Sequence, residues 1–127
     1  MNHIDSEELL TRYVFEKTYY RSDGTVKHNA FMPNRNGETS VYRISNLNID
    51  EVWNIGEHFV ARKRNKELLG RTDIGAYHVL NNGLEVKAEN DPHPRHANII
   101  GWPEERPKQK MIAVQLAAKA ELYLLSP

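Results

Sequence analysis

Cysteine is missing from all 127 residues. That removes a disulfide framework, a thiol nucleophile and every cysteine-based zinc site from consideration. An excess of charge is missing as well, since Lys+Arg and Asp+Glu each number 17 and the formal net charge is zero. The chain therefore lacks the general positive field of a polyanion binder, and contact with phosphate has to come from a local group of cations. No apolar run approaches the roughly 20 residues that span a bilayer. The opening "MNHIDSEELL" has neither the basic start nor the apolar centre of a secretory signal. The expectation is a soluble, cytoplasmic protein without a membrane partner. Repeats, low-complexity tracts and Gly/Ser linkers are absent, so residues 1–127 are read as a single domain. A chain of this length buries roughly two-thirds of its unfolded surface without help from a metal. Also absent are GxxxxGK[ST], GxGxxG, HExxH, GxSxG and the EF-hand loop. No cofactor is expected, and catalysis would have to arise from dispersed residues.

What is present reads first as an antiparallel β meander over residues 11–45, preceded by a short helical stretch at 2–10. Tyr13, Phe15 and Tyr19 share one face at period two. Asp23-Gly24 and Asn36-Gly37 have the tolerance of positive φ that tight turns need. "VKHNAFM" is the return strand between those turns, and "TSVYRI" closes the meander. The period then changes. Asn48 with Glu51 three residues later resembles a capping box. Ile49, Val52, Trp53, Gly56, Phe59 and Val60 form one helical stripe, predicting a helix over 49–62. Gly56 within that stripe implies close approach of another element. A second helix is predicted over 72–82, with Thr72 as N-cap, Asp73 at the positive end and Gly83 taking the left-handed position beyond the C-terminus. Two further strands, 84–88 and 97–102, follow. The last helix, 107–125, is read as apolar on almost every side, with Gln115 and Lys119 as a narrow polar stripe. The fold class is therefore α+β, with the long helix against the sheet.

"DPHPRHANIIGWP", residues 91–103, concentrates the chemistry. His93 and His96 form H-x-x-H after Asp91, a weak zinc pattern without a third ligand; no metal is assigned. His96 and Asn98 point the same way from a strand, with Arg95 aimed oppositely. Histidine titrates near neutrality and serves as general acid or base. His96, Arg43 and Arg71 are the catalytic candidates, on the chemistry by which arginine clamps phosphate while histidine moves a proton. Arg95, Asn98, Trp102, Arg62 and Arg64 are the ligand-binding candidates. Of these, Trp102 is read as a partly exposed stacking or contact residue, while Arg62 and Arg64 belong to the basic run "RKRNK". Read structurally instead, Arg43 and His96 are ordinary hydrogen-bonders and the basic run is a solvated helix end.

Two functional readings follow. The first is a binding or regulatory module acting through a protein partner or a homodimer along the 111–125 helix. The alternative is a metal-independent phosphodiester- or nucleotide-directed enzyme in which His96 works with an arginine clamp, its ligand a phosphate-containing molecule or RNA.

Overall fold

The computed structural model describes residues 4–125. Six strands form one antiparallel sheet: β1 (Leu9–Val14), β2 (Thr39–Arg43), β3 (Gly70–Gly75), β4 (Glu85–Ala88), β5 (His96–Ile100) and β6 (Glu121–Leu124). Their order across the sheet is β4-β5-β2-β1-β3-β6. Helix α1 (Ile49–Ile55) runs through a π-helical segment, Gly56–Ala61, into α2 (Arg62–Arg64). Helix α3 (Ala76–Asn81) follows β3, and α4 (Arg106–Lys119) precedes β6. The α+β class expected from the sequence is the class observed.

Strand alternation divides the side chains between two faces. Leu10, Val41, Ile74, Ala97 and Ile99 face α3 and α4, where they join Phe31, Val79, Ala113 and Leu116 in the main core. The other face carries Thr11 and Tyr13 of β1, Ser40 and Tyr42 of β2, Arg71 and Asp73 of β3, and His96 and Asn98 of β5. Helix α1 and its π-helical continuation cover part of that face, building a second, smaller cluster from Tyr13, Tyr42, Val52, Ile55 and Leu68.

Local sequence signals explain the covering helix. Both halves of the Asn48–Glu51 capping box are formed, the Asn48 side chain accepting from the Glu51 N–H at 2.8 Å. Gly56 meets the Tyr13 ring, which stands 2.5 Å from where a Cβ would be. The Tyr13 hydroxyl donates to the Val52 carbonyl. Asn65, at φ 52°, closes α2 in the left-handed conformation.

Six expectations are corrected. The described part of 2–10 (residues 4–10) holds a turn and the start of β1, and residues 1–3 lie outside the described part. "VKHNAFM" is not a strand: only Val26 bridges to Tyr20, and His28–Ala30 form a 3-10 turn. Both flanks of β1 are already taken by β2 and β3, so Ala30 and Phe31 plug the core beneath α4 instead. Residues 72–75 belong to β3, which pairs with β1 over six positions, and the helix starts only at Ala76. Tertiary pairing there overrides the N-cap chemistry of Thr72 and Asp73. The helix read over 107–125 stops at Lys119, and Glu121–Leu124 become edge strand β6. Nor is α4 apolar all round: it bears Arg106, Lys108, Lys110 and Lys119. Strand β5 likewise spans 96–100, leaving Gly101 and Trp102 beyond its end.

Candidate functional site

His96 opens β5, and both of its ring nitrogens are engaged. Nδ1 lies 3.0 Å from the Asp91 carbonyl, and Nε2 lies 2.8 Å from the Ser40 hydroxyl on the neighbouring strand. A carbonyl can only accept, so Nδ1 carries the proton and a neutral ring accepts from Ser40 at Nε2. The result is a serine–histidine pair oriented by a main-chain carbonyl, the geometry in which a base polarises a hydroxyl. Asn98, on the same face and opposite Ser40 in the ladder, is buried to about nine-tenths, and its amide has no side-chain hydrogen bond among the described residues. Here the sequence expectation that His96 and Asn98 share a face holds.

His93 is 4.6 Å from the Phe59 ring, edge to face, and its Nδ1 accepts from the Arg95 N–H at 3.0 Å. Burial first, and then the Arg95 charge, lower its pKa from the ordinary histidine value. The Tyr42 ring stands 5.2 Å from that of His96 and 6.3 Å from that of His93. The two histidines of H-x-x-H are thus packed against aromatic rings. Among the described residues no group of three or more histidine, aspartate or glutamate side chains can hold a metal ion.

The arginines expected to join His96 lie elsewhere. Arg43 is on the α3/α4 side of the sheet, by alternation with Tyr42, and its guanidinium pairs with Glu8 at 2.8 and 3.0 Å. Burial raises the Glu8 pKa, but the Arg43 bond and the Asp5 main chain outweigh it and leave it below the usual value. Arg71 shares the face of His96 but sits on β3, three strands along. It pairs with Asp73 at 3.1 Å and is stacked between Trp53 and Tyr123, each ring 4.7 Å away. Helix α1 supplies Trp53 and β6 supplies Tyr123, so the sandwich ties the helix to the sheet edge. His96, Arg43 and Arg71 do not share a pocket.

Of the remaining candidates, Arg95 reaches toward the Ser45 carbonyl at 3.5 Å, too far for a strong bond. Trp102 is half-buried against the main core, with Nε1 unpartnered among the described residues. Arg62 is exposed. Arg64 is exposed too, and it stands over the Phe15 ring at 5.2 Å.

Sequence reasoning passed over Ser40 and Arg12. Ser40 looked like one more small residue in a β-branched strand, and nothing short of the β2–β5 register reveals its partner. The other feature it missed is on α4, where Pro107, Met111, Val114 and Ala118 form an exposed apolar stripe at helical spacing. Three hollows adjoin this stripe. One of about 490 Å³ includes Pro107, Met111 and Val114. A second, of about 410 Å³, shares Met111 and includes Lys108, and a third of about 820 Å³ shares Val114 and reaches Arg21 and His28. No protein-family model, curated protein or solved structure matches the chain.

Proposed function

We propose that the protein is a binding module whose outer α4 surface takes an acidic, amphipathic segment of a protein partner. The observation that carries this is the composition of α4. In a chain of zero net charge it holds four cations and no acidic residue, set beside the exposed stripe Pro107, Met111, Val114 and Ala118. Three of those cations, Arg106, Lys108 and Lys110, crowd the helix N-terminal end, where the macrodipole is already positive. Arg106 and Lys108, in the first turn, oppose the dipole by about 0.3–1 kcal/mol each, part of it offset by Glu105 at the N-cap, 3.4 Å from Lys108. A sequence that breaks a local rule in this way points to a functional use of the residues. The cations extend beyond the helix: burial first, and then Lys110, Lys27, Arg106 and Arg21, lower the His28 pKa from its ordinary value.

Two largely apolar hollows edged by Lys108 and Lys110, beside a third of mixed lining that includes Arg21, Asp23 and Glu121, suit a partner that brings both an apolar face and carboxylates. A second copy of this chain would bring the same cations against them, which disfavours self-association through this surface. RNA would use the charge but leave Met111 and Val114 in water.

The test uses the whole protein and a designed helical peptide with one leucine-rich and one glutamate-rich face, followed by titration calorimetry. Saturable binding is expected, weakened at least tenfold by Met111→Asp or by Lys108→Glu with Lys110→Glu, and weakened by added salt. Light scattering of the protein alone should give a monomer. No peptide binding, or tighter binding of a single-stranded RNA oligonucleotide, overturns the proposal.

A further inference from the structure

Midway along β1, the β1–β2 ladder ends early. The two strands pair only at Leu10↔Arg43 and Thr11↔Tyr42 and then separate. Arg12 fills the opening wedge: its Nε donates to the Ala30 carbonyl and NH1 to the Ser40 carbonyl, both at 3.0 Å. These bonds satisfy carbonyls but leave the charge uncompensated, because Arg12 makes no ion pair among the described residues. A partly buried guanidinium without a counter-ion is costly unless something else supplies the negative charge. A second cation, Arg64, lies at the same opening. Arg12, Arg64, Ser40, Tyr42, Phe15 and Val60 line a notch with room for about one water, about 10 Å³.

The wall of the notch is unusual. Val60 belongs to the six-residue π-helical segment, and π turns inside helices are rare and frequent at functional sites. Behind the notch stands the serine–histidine pair, Ser40 to His96 Nε2 at 2.8 Å. Arg64 is solvent-exposed at the end of a short helix, and admitting anything larger than a water to the notch requires its side chain to move outward.

We propose that this notch binds a phosphate group, free or as the monoester end of a small molecule. Two guanidinium groups match the charge of a phosphate dianion, and the planar fork of each suits pairs of phosphate oxygens. The Ser40 hydroxyl lies beside the notch with its proton given to His96, so the clamp consists of the two guanidinium groups. The notch shares no lining residue with the hollows along α4, so either proposal can fail without the other.

Titration of isotope-labelled protein with inorganic phosphate, and separately with adenosine 5′-monophosphate, tests it by NMR. Saturable shifts are expected at the amides of Ser40, Tyr42 and Arg64, and Arg64→Ala should weaken binding at least tenfold. Arg62→Ala, two residues from Arg64 and outside the notch, should leave binding unchanged. Saturation by inorganic phosphate alone assigns the site to the free ion, and saturation by both assigns it to a monoester end; either supports the proposal. The absence of saturable binding, equal affinity for chloride, or unchanged affinity in Arg64→Ala overturns it.

Discussion

On the side of α3 and α4 the sheet presents Leu10, Val41, Ile74, Ala97 and Ile99, all nearly or fully buried. On the side of α1 the same strands present Thr11, Ser40, Arg71, Asp73, His96 and Asn98 between the aromatic rings of Tyr13 and Tyr42. Both faces are covered by a helix, yet only the first is closed by apolar packing throughout, the second having a smaller cluster under α1. The second is held by directional interactions: a capping box, a tyrosine–carbonyl bond, the Arg71–Asp73 pair between two rings, and the Ser40–His96 bond. Polar burial of this kind is expensive when unpartnered, and it places groups capable of chemistry where water is scarce. The difference also explains the different uses proposed for the two sides. The apolar face supports α4 as a rigid platform whose outer surface is available, whereas the polar face can itself hold a ligand.

Three substitutions or conditions would break or sharpen this contrast. Removing Asp73 leaves Arg71 charged and unpaired between Trp53 and Tyr123, so Asp73→Ala should cost about 3–5 kcal/mol. Chemical denaturation followed by tryptophan fluorescence reads it directly, because Trp53 lies against the guanidinium. A cost below about 1 kcal/mol would mean that stacking alone holds Arg71 and that the polar face does not depend on its ion pair. Leu116→Ala, in the fully buried seam between α4 and the sheet, should cost about 2–5 kcal/mol by cavity formation. The loss should appear as a lowered denaturant midpoint and, unlike that at Asp73, leaves no unpaired charge behind. The smallest effect concerns acid. The folded-state pKa of His93 is lowered, chiefly by burial, so the unfolded chain binds its proton more readily. Stability from this source is present above the unfolded histidine value of about 6.5 and is lost as pH falls through the lower, folded value. A denaturation midpoint measured at pH 7.5 and again near pH 5 should fall, and His93→Gln should flatten that part of the dependence. A midpoint that instead rises on acidification would show that the aromatic site around Phe59 and Tyr42 favours the charged ring.

Signals that act within a few residues were legible in the chain. Asn48 and Glu51 marked a helix start because both capping bonds close over three residues. Asp23-Gly24 and Asn36-Gly37 marked turns, and Gly24 and Gly37 have φ of 88° and 77°. The close approach at Gly56 followed from a small residue in an apolar stripe. Expectations failed where the outcome depended on a distant partner. Thr72 and Asp73 suit a helix start, but six pairings with β1 draw them into a strand. The apolar run after Met111 reads as one helix, yet β3 has an open edge that recruits Glu121–Leu124.

The candidate site divides in the same way. Alternation along one strand is a local property, so the shared face of His96 and Asn98 could be read from spacing. That His96 meets Ser40, fifty-six positions earlier in the chain, depends on β2 pairing with β5. That Arg43 turns away to Glu8, and that Arg71 lies three strands from His96, depends on strand order, which no short-range pattern encodes. By itself the sequence determined the α+β class, the caps and turns, and which residues carry chemistry. Only the tertiary structure decided which of them meet, because strand pairing joins residues by register across the sheet and not by their separation along the chain.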